Sequence, residues 1–216
     1  MFSKIFPKIH AEGYKFLVIA GIITMVLYSL SDFLGLIGFV LTVWVYYFFR
    51  DPERVIIEND SYLVSPADGE VIKVEEVDGP KELGLENKKY TRISIFMNVF
   101  NCHVNRIPTK SKVSEIYYKP GKYFNASLDK ASDENERNYL KIKSLNGDDI
   151  ILVQIAGLIA RRIVCEAKEG EELKQGDKFG IIRFGSRVDL YFENYKLVAK
   201  ENQSTIGGET ILARKK

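Results

Sequence analysis

The sequence predicts a mainly β chain, an antiparallel β sandwich or barrel-sandwich-like core over residues 51–216, preceded by an N-terminal transmembrane helical hairpin over residues 1–50. Two observations carry this. Two uncharged apolar runs, Phe16 to Leu30 and Phe33 to Phe49, stand back to back near the start. From Leu63 onward the pattern becomes short alternating stretches bounded by turn residues.

Each run is short for a spanning helix, with only Ser31 and Asp32 between them. A signal peptide would end in a small-residue cleavage site, which the first run lacks. Lys4, Lys8 and Lys15 precede the first run, and Arg50 and Arg54 follow the second. Positive charge is retained on the cytoplasmic side, so both ends are expected there, with the remaining chain held at the inner face of the cell membrane. Trp44, Tyr46 and Tyr47 are suited to the headgroup level.

Strands are expected at Val64–Val77, Thr91–Val99, Lys112–Tyr118, Tyr139–Ile142, Ile150–Ala156, Ile159–Ala167, Lys178–Arg183, Val188–Phe192 and Thr210–Ala213. Asp78-Gly79-Pro80, Lys119-Pro120-Gly121, Asn146-Gly147-Asp148, Glu169-Gly170 and Gly176-Asp177 mark turns. Tyr123 to Asn138 is polar and reads as a loop or brief helix. A net charge of +2 without a basic block gives no nucleic-acid footprint. Two cysteines, Cys102 and Cys165, are too few for a disulfide framework and are expected as free thiols.

Three motifs lie in an informative order: Ser65-Pro66-Ala67-Asp68-Gly69-Glu70-Val71, Asn135-Glu136-Arg137 and Phe184-Gly185-Ser186. Taken together, from Phe49-Arg50-Asp51-Pro52 to near Ala213, the chain resembles the phosphatidylserine decarboxylases of the short bacterial and archaeal class. The resemblance implies a β fold similar to lipoyl-carrier barrel-sandwich domains, and conversion of phosphatidylserine to phosphatidylethanolamine and carbon dioxide. It also implies self-cleavage between Gly185 and Ser186 into a beta chain (1–185) and an alpha chain (186–216). The two chains would stay together as a heterodimer, with Ser186 becoming a covalent pyruvoyl group.

The residues themselves give that reading a rationale. Gly185-Ser186 interrupts a strand-like stretch, Phe179 to Phe192. Glycine tolerates geometries that bring the next hydroxyl to the preceding carbonyl, although on sequence alone the pair also reads as a turn. Ordinary side chains provide no electron sink for a carbanion beside an amine, whereas a ketone conjugated to an amide does. Of two histidines, His10 precedes the first apolar run and His103 follows a predicted strand. The resemblance implicates His103 in decarboxylation and Asp68 in activating Ser186, with His103 as the relay; without it, Asp68 reads as a turn aspartate. Many longer relatives carry a second histidine where this chain has Arg106, so a self-cleavage role for that second histidine does not transfer. Arg137 and Asn135 are expected to contact lipid phosphate, the alternative being a solvated loop.

Other classes compete. Asp129-Lys130-Ala131 matches the attachment triplet of lipoyl carriers, but the polar run after it is unlike a carrier hairpin. A zinc hydrolase would need more ligands than one useful histidine allows, and no metal is expected. A noncatalytic membrane adaptor would remain an intact chain. Edge strands and the hairpin are compatible with a higher oligomer.

Overall fold

The computed structural model describes residues 6–126, 134–158 and 162–216. The chain divides into two compact units, Met1–Glu53 and Arg54–Lys216. In the first, β1 (Lys8–Ile9) pairs antiparallel with β2 (Arg50–Asp51), closing the base of a hairpin formed by α1 (Tyr14–Leu30) and α2 (Asp32–Phe48). Small residues let the helices approach. Gly38 lies against Thr24, and the Thr24 and Thr42 hydroxyls meet at 2.8 Å between helices. Ser31 ends α1 and caps α2 by accepting from Phe33 N. The outward side chains, among them Ile22, Met25, Leu30, Phe33, Phe39 and Val40, are apolar and exposed. The segment Ala11–Leu30 is long and apolar enough to cross a membrane, and Asp32–Phe48 is a shorter apolar helix.

The second unit is mainly β, a curled antiparallel half-barrel. Its strands are β3 (Tyr62–Val64), β4 (Gly69–Asp78), β5 (Lys89–Met97), β6 (Val104–Arg106), β7 (Ser111–Lys119), β8 (Arg137–Ser144), β9 (Asp149–Ala156), β10 (Arg162–Cys165), β11 (Glu172–Leu173), β12 (Lys178–Arg183), β13 (Ser186–Phe192), β14 (Tyr195–Leu197), β15 (Ser204–Thr205) and β16 (Ile211–Lys215). Eight of them form one sheet in the order β11-β7-β8-β9-β13-β5-β4-β15; β10-β12-β6 and β14-β16-β3 form smaller sheets.

Alternation along β13 sorts its side chains between two faces. Val188, Leu190 and Phe192 join the main core with Ile93, Ile95, Leu140 and Leu152. Tyr191 lies on the other face with Tyr139, Ile151, Val153 and Ile155.

Several expected boundaries shift. The expected strand Val64–Val77 is broken, because Pro66 offers no N–H and Ser65 Oγ turns back to donate to the Ala67 carbonyl at 2.7 Å. Strand β8 begins at Arg137, inside the segment expected to be a loop, because the Asn135 side chain anchors the approach to it. Of the expected strand Ile159–Ala167, Arg162–Cys165 is formed and residues 159–161 lie outside the described residues. Lys4 and the Asp129-Lys130-Ala131 triplet also lie outside them. Cys102 and Cys165 are free thiols.

Candidate active site

Two pairings converge on one corner of the second unit. Strand β12 pairs with β6, placing Ile181 opposite Val104, and Ile182 N donates to the His103 carbonyl at 3.4 Å. Strand β13 pairs with β5, placing Ser186 opposite Met97. The links 183–185 and 98–103 therefore run between the same two pairs of strands. Segment 98–103 carries His103, and segment 183–185 leads into Ser186. Gly185 confirms the proximity of the links, since a side chain built on it would meet Val99 Cγ1 at 4.0 Å.

Ser186 opens β13 and is fully buried between β5 and β9, opposite Met97 and Ala156. Its Oγ has no hydrogen-bond partner among the described residues, which leaves a desolvated hydroxyl at a cost of about 1–3 kcal/mol. Gly185 before it has φ +58°, a left-handed conformation that suits glycine. Beside it lies a cavity of about 260 Å³ lined by Phe96, Asn98, Val99, Ala126, Leu158 and Gly185. Exposed Leu158 adds to its apolar mouth, and exposed Phe100 follows Val99 in the same link.

His103 is buried, with Nδ1 3.0 Å from the Asn101 carbonyl. A carbonyl only accepts, so Nδ1 carries a proton, and when the ring is neutral Nε2 is its basic nitrogen. Asp68 is gripped by Arg54, whose Nη2 donates to both carboxylate oxygens at 2.9 and 2.7 Å, and by Gly207 N at 2.8 Å. Burial works against the Arg54 charge, but Asp68 and the Cys102 thiol outweigh it and raise the guanidinium pKa. Arg54 thus joins Asp68 to the residue preceding His103. Arg106 N donates to the Pro66 carbonyl and its Nη1 to the Gly176 carbonyl, tying β6 to the Asp68 segment.

The Asn135 side chain is bound to backbone, and Arg137 lies on the opposite sheet face from Ser186. The Asn135 amide is occupied by backbone, accepting from Phe124 N and donating to the Phe124 and Ala156 carbonyls at 2.8, 2.8 and 2.7 Å. Arg137 is opposite Ile155, itself opposite Arg187, so it projects from the sheet face that Ser186 does not share. There it lies 3.8 Å from Glu82 and over the Tyr139 ring, in the wall of a separate cleft. Glu136 between them is the more central residue. Its register places it beyond Ala156 in the row of Ser186, and its carboxylate accepts from Ile163 N at 3.3 Å and Tyr123 Oη at 2.5 Å.

A buried chain of amides also faces this side. Asn138 Nδ2 donates to Gln154 Oε1 at 3.0 Å, Gln154 Nε2 to Asn105 Oδ1 at 2.8 Å, and Asn105 Nδ2 to Met97 Sδ at 3.7 Å. The thioether can only accept, so it fixes the orientation of all three amides. They bind β6, two residues after His103, to the strands flanking Ser186. One signal for them exists in the sequence: Gln154 interrupts an otherwise apolar run, Ile150 to Ala156. Arg54 and the Asn105 pairing have no local signal. Among the described residues no cluster of His, Cys, Asp and Glu is placed to hold a metal ion.

Comparison with known proteins shows the family. The sequence model of the phosphatidylserine decarboxylase family matches residues 41–213. The chain is 68% identical over its full length, and the full length of the relative, to a protein of Pelagibacter ubique named phosphatidylserine decarboxylase proenzyme. Proteins of the same name are 53% identical in Ruegeria pomeroyi, covering 94% of each chain, and 49% identical in Rickettsia akari, covering 98% of this chain and 92% of the relative. A buried serine after a left-handed glycine, a histidine on the facing link and a match spanning most of the sequence lead to one assignment: the chain belongs to the phosphatidylserine decarboxylase family.

Proposed function

We propose that this chain decarboxylates phosphatidylserine to phosphatidylethanolamine after cutting itself between Gly185 and Ser186, the serine becoming a covalent pyruvoyl group. The observation that carries the proposal is the Ser186 hydroxyl, fully buried and without a hydrogen-bond partner among the described residues, directly after a left-handed glycine. Other buried hydroxyls, such as Ser94 Oγ, also have no partner among the described residues; what distinguishes Ser186 is that its hydroxyl directly follows the left-handed Gly185, which lines the cavity.

In the first step Ser186 Oγ bonds to the Gly185 carbonyl carbon, the peptide C–N bond breaks and the hydroxyl proton passes to the freed amine. His103 Nε2 is the basic nitrogen available for carrying that proton, and Asp68, held by Arg54, sets the electrostatics of the segment around it. Loss of the Ser186 Cα proton then expels the Gly185 carboxylate. Hydration with release of ammonia leaves the ketone at the head of β13. That group supplies an electron sink for the pair left behind as carbon dioxide departs. The strands β5 and β9 hold residue 186 on both sides, Met97 and Ala156 exclude water, and His103 is assigned the return of a proton to the substrate carbon. The apolar mouth at Val99 and Leu158 suits a lipid whose headgroup enters and whose chains stay outside.

Asn135 takes a scaffolding role in this proposal. The hairpin of residues 1–50 is assigned as the membrane anchor, with Lys8, Lys15 and Arg50 placing the catalytic unit on the cytoplasmic side. The intact mass of the denatured protein, measured beside Ser186→Ala, tests the proposal. Wild type is expected as two pieces, residues 1–185 and a ketone-bearing 186–216, and the variant as one. A wild-type chain that stays whole in native membranes sinks it. His103→Gln is expected to abolish decarboxylation in any cleaved protein.

A further inference from the structure

Gly157 follows the last residue of β9, and continuing the pairing of Ala156 with Ser186 by one step places it opposite Gly185. A Cβ built on Gly157 would lie 2.1 Å from the Gly185 carbonyl oxygen and 3.0 Å from its carbon, inside contact distance of backbone that has no rotamer with which to move away. Its next neighbour, Ala126 Cβ, would be 3.2 Å away. Gly185 is the reverse case. It has φ +58° but open space, with nothing nearer to a built Cβ than Val99 Cγ1 at 4.0 Å.

We propose that Gly157 is a positioning residue for self-cleavage: its bare backbone is the seat on which the scissile Gly185 carbonyl rests. The inference builds on the self-cleavage reading and concerns only its first step. There Ser186 Oγ bonds to the Gly185 carbonyl carbon, the Gly185–Ser186 C–N bond breaks and the hydroxyl proton ends on the Ser186 amine, leaving an ester with no co-reactant consumed. Attack requires the two atoms within about 3–3.5 Å in a fixed direction, and a displacement of about 1 Å costs on the order of a hundredfold in rate. A methyl group at 157 forces a displacement of that size on the carbonyl oxygen and so turns the carbonyl carbon away from the direction of attack. The residue seating the reacting carbonyl thus lies just past the end of a neighbouring strand, 28 residues earlier in the chain.

The test follows the mass of the full-length chain during expression in membranes for wild type, Gly157→Ala and Gly185→Asn. Wild type is expected to cleave. Gly157→Ala should remain whole, cleaving on the order of a hundredfold more slowly. Gly185→Asn keeps a residue that tolerates the left-handed region and should slow cleavage less than Gly157→Ala does. Hydroxylamine locates the block, because it cuts the ester, leaving a Gly185 hydroxamate, but not the amide. Gly157→Ala should resist it. Adding Ala126→Gly removes the 3.2 Å crowding but not the overlap with the carbonyl, so the double variant should stay whole. In the uncleavable Ser186→Ala background, Gly157→Ala should still unfold cooperatively.

Cleavage of Gly157→Ala at the wild-type rate, a hydroxylamine-sensitive ester, rescue by Ala126→Gly, or loss of folding in the Ser186→Ala background would each overturn the assignment. A wild-type chain that never cleaves would instead overturn the underlying self-cleavage reading.

Discussion

The two faces of β13 treat polar groups in opposite ways. On one, Arg187 and Asp189 are as buried as core residues and fully matched, with Arg187 Nε and Nη2 each 2.7 Å from a carboxylate oxygen. Arg92 stands 4.0 Å from the same carboxylate, and burial followed by Asp189 pushes the neighbouring Tyr191 hydroxyl up to about 12. On the other, Ser186 is next to an apolar core with its hydroxyl unanswered among the described residues. Neighbouring residues of one strand thus divide stability and reactivity between the faces. On the charged face the buried ion pair is matched, although Ser94 Oγ and Arg92 Nε beside it have no partner among the described residues; on the apolar face the unmatched group is the hydroxyl where chemistry is proposed.

That contrast can be broken from either side. The largest stability effect is expected from Arg187→Met, which strands the buried Asp189 charge and should cost about 3–5 kcal/mol in urea unfolding of the Ser186→Ala precursor. Arg187→Met with Asp189→Leu should recover most of that loss, because an apolar pair replaces a matched ionic one. Recovery of nothing would mean that Arg92 and Tyr191 depend on the pair. Next comes Gln154→Leu, which removes the partner of Asn105 Oδ1 and of Asn138 Nδ2 and should cost about 1–3 kcal/mol per stranded group by the same measurement.

Ser186→Ala should change stability by less than about 1 kcal/mol or raise it, since it removes an unsatisfied hydroxyl, while eliminating cleavage altogether. A large loss of stability would show that the hydroxyl has a structural partner. The smallest effect concerns pH. Burial raises the Glu82 carboxyl, but Lys119, its own backbone and Arg137 outweigh that and hold its pKa below the usual value. Its contribution is complete above the unfolded value of about 4.3 and fades as pH falls further. Lys119→Met should therefore lower stability at neutral pH and flatten the acid limb, the two profiles converging as Glu82 protonates.

Most of the strand positions could be read from short apolar or alternating runs between turn residues, the middle strands β9 and β13 being buried on both faces. Short strands such as Val104–Arg106 escaped, since three residues carry no period and their pairing with Lys178–Ile181 is set from far along the chain. The site was legible as motifs but not as geometry. Gly185-Ser186, His103 and Asp68 stand out locally. Arg54 as the holder of Asp68, and the Asn105 to Gln154 bond, depend on contacts across sheets that leave no spacing pattern. Arg137 shows the same limit from the other side: a charge read in a polar loop opens a strand, on the sheet face that Ser186 does not share.

Strand β13 is interior to the large sheet, with β5 on one side and β9 on the other, while β15 pairs with β4 and β16 with β3. Once the proposed cut is made, residues 186–216 become a separate molecule that completes its partner by filling a gap in the middle of a sheet. A precursor would refold as one chain, whereas the mature enzyme would recover only by a second-order encounter of two fragments. Its lifetime would then depend on how slowly it opens, and dilution after unfolding would make the loss permanent. On that account, self-processing is also a one-way commitment in the folding landscape: the molecule acquires its reactive group and gives up the ability to refold unaided.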